Sequence, residues 1–245
     1  MLVITALLVT LLLLSTALYI SETEKTMSSH SAGANDALQV YRLGTTHAII
    51  SALANISNGG NDDILADDLD LFKSVLVNHS YDAILKLDYS QLSVAPYQDG
   101  VWISWGQDGV GVSSACVDFV LNCSGLSSTL FSEYSVNITS TISVNGNYAT
   151  VNGSLKAANV TFTLLNEGKP ALARNFTVFY EEDGSLSTEE WITAQSPSVT
   201  DYGNGTYLIS FTAETLSPGD PLIVSVHCHD SRSILVQANV TCSQN

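Results

Sequence analysis

The chain opens on a predominantly apolar run, MLVITALLVTLLLLSTALYI over residues 1–20, without a charged side chain. A helix of about 20 residues rising 1.5 Å per residue covers about 30 Å of hydrocarbon. The pattern predicts a long N-terminal hydrophobic helix carrying Leu2, Val3, Ile4, Leu7, Leu8, Leu11, Leu12, Leu14 and Leu18. A polar extension follows to about residue 35, loosened near Ser28–Gly33. From Asp36 the helical period sharpens. Leu38, Tyr41, Ala48 and Ala52 fall near one face, with Val40, Leu43, Ile50 and Leu53 beside them, and Asn58-Gly59-Gly60 supplies a stop. A second helix is predicted from Leu65, Leu69, Phe72, Val75 and Leu76, with Asp62, Asp63, Asp67 and Asp68 crowding its positive end.

From Tyr81 the period drops to two, with Ile84, Leu87, Val101, Ile103, Val110, Val112, Val117, Phe119 and Leu121 marking strands between Gly and Asp breaks. Residues 36–145 are expected to form helices packed on a small antiparallel sheet. Residues 146–245 read as seven short strands spaced by turn signals, the pattern of an immunoglobulin-like β-sandwich. Within them DYGNGTYLISFT, residues 201–212, resembles the turn-plus-strand of such modules in microbial surface proteins. The expected fold class is therefore α+β, with a hydrophobic helix over 1–35, a helix-plus-sheet head over 36–145 and a sandwich over 146–245.

Charge narrows the function. Eight Lys and Arg face 24 Asp and Glu, a net charge of −16 over 245 residues, which argues against nucleic acid as a partner. Only 13% of residues are charged, and Ser, Thr and Asn fill the polar positions instead. The sequon Asn-X-Ser/Thr occurs at Asn55, Asn78, Asn122, Asn137, Asn152, Asn159, Asn175, Asn204 and Asn239. Such a density points to an exported chain that carries N-linked glycans on exposed segments.

Export also makes Cys116, Cys123, Cys228 and Cys242 candidates for two disulfides. In a tight hairpin turning at Asp230–Ser233, Cys228 faces about Leu235, which leaves Cys242 beyond the Cα limit of about 7 Å. Cys116 and Cys123 pair only if the six residues between them turn back, so the connectivity stays open.

Other clusters read as structural. The acids Asp62, Asp63, Asp67, Asp68 and Asp70 lack the alternating ligand loop of a calcium site and fit a solvated helix face. His227-Cys228-His229-Asp230 offers metal-capable side chains, but strand alternation puts both imidazoles on the face opposite the thiol. Trp102 and Trp105 fall on opposite faces of one strand, so one fills the core and the other is free to stack on a sugar or a neighbouring subunit. The chain contains no Gly-rich phosphate loop, HExxH, GxSxG or CxxC, and neither a cofactor nor a catalytic site is expected.

The uncharged segment Met1–Ile20, the polar continuation Ser21–Lys25 and a β-rich head together resemble archaeal type IV pilins and archaellins. Thr5 stands where bacterial pilins carry a glutamate, as is usual in the archaeal branch. The absence of a basic flank before the apolar run fits the removal of a short basic leader, as in that family. The resemblance implies a structural subunit of an extracellular filament, first inserted in the membrane and then assembled with identical subunits through its N-terminal segment. The alternative is a singly anchored adhesin or ligand-binding surface protein, or a minor or tip pilin that combines both roles.

Overall fold

The computed structural model describes residues 30–79, 83–125, 129–183 and 191–245. Two helices come first, α1 (His30–Ser57) and α2 (Ile64–His79). The described strands are β1 (Ala83–Gln91), β2 (Val101–Trp105), β3 (Val110–Gly125), β4 (Thr129–Asn152), β5 (Leu155–Asn166), β6 (Lys169–Pro170) and β7 (Ala173–Glu181). They continue with β8 (Trp191–Thr193), β9 (Ser198–Asp201), β10 (Thr206–Glu214), β11 (Ile223–Asp230), β12 (Leu235–Thr241) and β13 (Ser243–Gln244).

Helix α1 buries Ile49, Ala52, Leu53 and Ile56 as one stripe at helical spacing. It stops where Gly59 takes a left-handed φ of 84° and the Gly60 N–H donates to the Asn55 carbonyl at 3.0 Å, a Schellman-type end. The two helices meet closely at Gly44, where a Cβ would lie 2.4 Å from Phe72 Cζ.

One large sheet runs through the molecule in the order β1-β3-β4-β5-β10-β9, with β2 on β3, β6 on β5 and the parallel β13 on β4. Strands β3 and β4, of 16 and 24 residues, are long enough to serve two covers. At one end the helices cover the inner face, where Ile49, Leu53 and Leu65 meet Leu87, Val117, Phe119, Leu121 and Ile138. At the other end a second sheet, ordered β12-β11-β7-β8, lies across it. There Ile142, Val144, Phe162, Leu164 and Ile209 pack on Val178, Val224, Val226 and Val236. The order β4-β5-β10-β9 over β12-β11-β7-β8 is that of an immunoglobulin-type sandwich whose first strand is the tail of β4.

The junction between the covers is polar and specific. Asp230 is fully buried and accepts from the backbone N–H groups of Arg232 and Ile234 at 2.8 and 3.0 Å. It also accepts from Arg232 Nε at 2.8 Å, and Arg232 reaches on to Glu167 at 2.6 Å and to the Thr139 carbonyl at 3.2 Å. From the helical side, Ser57 Oγ accepts the Leu235 N–H at 3.0 Å and Asn58 donates to the Ser233 carbonyl at 3.1 Å. The β11–β12 turn is therefore held by α1, β4 and the β5–β6 turn together.

This architecture corrects the expected fold class. The described residues are mostly β, with two helices of 28 and 16 residues, and no described helix is long and apolar enough to cross a membrane. The predicted hydrophobic helix, with Leu2, Val3, Ile4, Leu7, Leu8, Leu11, Leu12, Leu14 and Leu18, lies outside the described residues. Helix α1 begins at His30 and runs without interruption through Gly33, where a loosening is predicted. The line drawn between residues 145 and 146 falls inside β4. The reason is physical: Val136, Ile138, Ile142, Val144 and Tyr148 keep one inward alternation while the cover changes from helices to sheet. Even Asn145-Gly146, turn-like in composition, continues as strand, because Cys242 fills the space over Gly146; a Cβ there would meet its Sγ at 2.3 Å.

Candidate functional site

The sequon asparagines fall mainly where strand alternation turns side chains to solvent. Asn122, Asn137 and Asn159 lie on β3, β4 and β5 and are exposed on the face of the large sheet opposite its core. Asn175 on β7 is exposed and Asn239 on β12 is half-buried, both on the outer face of the smaller sheet. Asn55 near the end of α1, Asn152 at the β4 end and Asn204 in the turn before β10 are exposed as well. Asn78 is in the last turn of α2, and its side chain lies outside the described set. Local geometry already engages several amide oxygens. Asn137 Oδ1 accepts from its own sequon hydroxyl, Thr139 Oγ1, at 3.0 Å, and Asn204 Oδ1 accepts the Thr206 N–H at 3.1 Å.

The four cysteines are free thiols. Cys116 and Cys123 lie on one continuous strand, and seven residues at about 3.3 Å each hold them roughly 23 Å apart. Cys228 faces Val236 in the ladder, one residue from the predicted Leu235, whereas the Cys242 N–H donates to the Leu222 carbonyl at 2.8 Å. Six residues of β11 thus separate the pair by roughly 20 Å, so neither sequence-adjacent pairing is bridgeable.

The histidines of the 227–230 cluster point away from Cys228, as alternation requires. His227 packs its ring on Phe179 at 4.8 Å between centroids, and His229 Nε2 hydrogen-bonds Asn58 Oδ1 at 2.8 Å. Among the described residues no three His, Cys, Asp or Glu side chains converge as a metal site.

The two tryptophans of β2 divide as the alternation predicts. Trp105 turns inward against the sandwich core and its Nε1 donates to Ser113 Oγ at 3.2 Å. Trp102 pairs with Ser114 on the outer face, half-buried, with Tyr97 edge-on at 5.9 Å. Tyr97 is fixed in turn by a 2.9 Å hydrogen bond between its hydroxyl and Ser114 Oγ. A depression of about 510 Å³ at the β2 edge is lined by Trp102 with Ile56, Asp62, Asp63, Ala66, Gln91, Pro96, Gln98, Asp99 and the core-facing Val101 and Ile103. A second, of about 610 Å³, is lined by Trp102 with Gly106, Gln107, Asp108 and the outer-face residues Ser104, Val110 and Val112. Trp102 is the residue common to both. The contribution of Gln91, Gln98, Asp99 and Gln107 escapes a sequence reading, since they sit in loops or at strand ends whose placement depends on how β1 and β2 share the edge of β3.

No protein-family model matches the chain, and no curated protein matches it.

Proposed function

We propose that the chain is a glycosylated structural subunit of an extracellular, type IV pilus-like filament, non-catalytic, with identical subunits as its partners. The observation that carries this reading is the pairing of an uncharged twenty-residue apolar segment, Met1–Ile20, with a body that exposes seven of nine sequon asparagines. In this reading the apolar segments of many copies bury one another, and each Å² of apolar surface they keep from water contributes about 25 cal/mol. The sheet faces then point outward under glycans, which also screen the strand edges from pairing with other chains. Val40 and Leu43, near the middle of α1, are 65% and 59% exposed and continue the apolar character into the head.

A second reading, a singly anchored surface protein that grips a ligand, is favoured by the paired depressions around Trp102. Shearing of intact cells separates the two. A filament subunit appears in the sheared supernatant as a sedimenting, glycosylated polymer; an anchored receptor stays with the detergent-extracted membrane as single copies.

A further inference from the structure

We propose that the ridge formed by Trp102 is a saccharide-binding platform, on which an uncharged oligosaccharide lies across the ring and extends into both flanking depressions. This inference is independent of the filament reading. A pyranose ring has an apolar C–H face and a rim of hydroxyls, so it needs an aromatic surface bordered by hydrogen-bonding groups. Trp102 supplies the surface, and its orientation is set by the edge contact with Tyr97 and the Tyr97–Ser114 hydrogen bond.

The rim is supplied on both sides. Gln98 and Asp99 line one depression, Gln107 and Asp108 the other. The side chains of Gln98, Asp99 and Gln107 make no hydrogen bond to any described residue, so their donors and acceptors are available to hydroxyls. Because both depressions share Trp102, the site fits an extended chain of sugars better than a single compact molecule. Both depressions are open to solvent, so a bound chain lies along the surface rather than inside an enclosed pocket.

Charge sets the class. No Lys, Arg or His lines either depression, and four carboxylates, those of Asp62, Asp63, Asp99 and Asp108, do. Uronates, sialylated chains and phosphorylated sugars are therefore repelled, while hydroxyl-rich neutral chains find acceptors. The saccharide has two sources with the same chemistry. One is a polymer from outside the molecule. The other is a glycan on Asn137, whose Oδ1 accepts from the same Ser114 Oγ at 3.3 Å and which lies about 12 Å from Trp102, two strand spacings across and two residues along β4.

The test uses the full chain in a zwitterionic detergent without a sugar headgroup. Hexasaccharides of β-1,4-linked glucose, mannose, N-acetylglucosamine and galacturonate are titrated by calorimetry. At least one uncharged hexamer is expected to bind with a Kd below about 1 mM. The Trp102→Ala change is expected to weaken it about tenfold or more, with Trp102→Phe weakening it less, and galacturonate is expected to fail. Gln98→Ala and Gln107→Ala, at exposed positions outside any core, keep the fold and still weaken binding. An Asn137→Gln chain that binds the added hexamer when the glycosylated parent does not identifies the internal glycan as the occupant. Binding equal in both assigns the platform to an outside polymer. The proposal is overturned if no uncharged hexamer binds either chain, if the Trp102 and Gln variants bind like the parent, or if galacturonate binds as well as the neutral chains.

Discussion

Cys228 and Cys242 sit in the sandwich core, where burial pushes both thiols up to about 12, Asp230 adding to the effect at Cys228. Since the thiolate is the reactive form, neither should react at neutral pH until the fold opens. Cys123, only half-buried on β3, should be labelled in the native protein, and Cys116, half-buried too but with its thiol pushed up by burial and then by Asp118, more slowly. Mass spectrometry after iodoacetamide treatment, with and without denaturant, checks this; native labelling of Cys242, or a disulfide at any pair, contradicts it. His227 offers a second residue-scale expectation. Burial, and then the neighbouring His229, hold its imidazole below the ordinary value of about 6.5. The folded state thus binds fewer protons than the unfolded one, and the stabilisation is complete above that value and lost as pH falls through it. The denaturant midpoint should drop between pH 7 and pH 5, less so in His227→Gln; an equal drop in both removes His227 as the cause. Both residues show what was legible. Alternation along β11 fixed which way each side chain points, but the distance between Cys228 and Cys242 depended on a ladder register that no local pattern encodes.

At the scale of elements, α1, α2 and most strands follow from period and punctuation, as the Gly59 stop and the buried stripe of α1 illustrate. Three features do not. Strand β9 is four exposed residues with no apolar alternation, so pairing with β10 alone defines it. Strand β4 continues through Asn145-Gly146 because Cys242 packs there. The close approach of β3 and β12 needs Gly111, where a Cβ would lie 2.0 Å from the Gln237 carbonyl oxygen. The β11–β12 turn is the element most dependent on a single side chain. Asp230→Ala removes the buried carboxylate that caps the turn and leaves Arg232, only 17% exposed, with Glu167 and the Thr139 carbonyl. Removing one partner of a buried, hydrogen-bonded pair costs about 3–5 kcal/mol, and this loss should be read in urea unfolding. A change below about 1 kcal/mol would mean that the turn is held by Ser57 and Asn58 without it.

Across the whole molecule, one sheet is shared by a helical cover and a second sheet, and the line expected between residues 145 and 146 falls inside β4. Inward alternation along β4 does not reveal what lies above it, and only packing distinguishes Ile138 under the helices from Ile142 under the sandwich. The Trp102 platform was legible as one outward ring, whereas its flanking Gln and Asp groups come together only in the assembled edge of the sheet. The distribution of sequons is the molecule-scale feature that bears on the proposed function: Asn122, Asn137 and Asn159 are exposed on the outer face of the large sheet, and Asn175 on that of the smaller one. Cryo-electron microscopy of filaments sheared from the native cell surface tests this most directly. The expected result is a filament built mainly of this chain, with residues 1–20 packed at its centre and glycan density over Asn122, Asn137, Asn159 and Asn175 on the outside. Filaments that lack the chain, or that bury those asparagines between subunits, would contradict it.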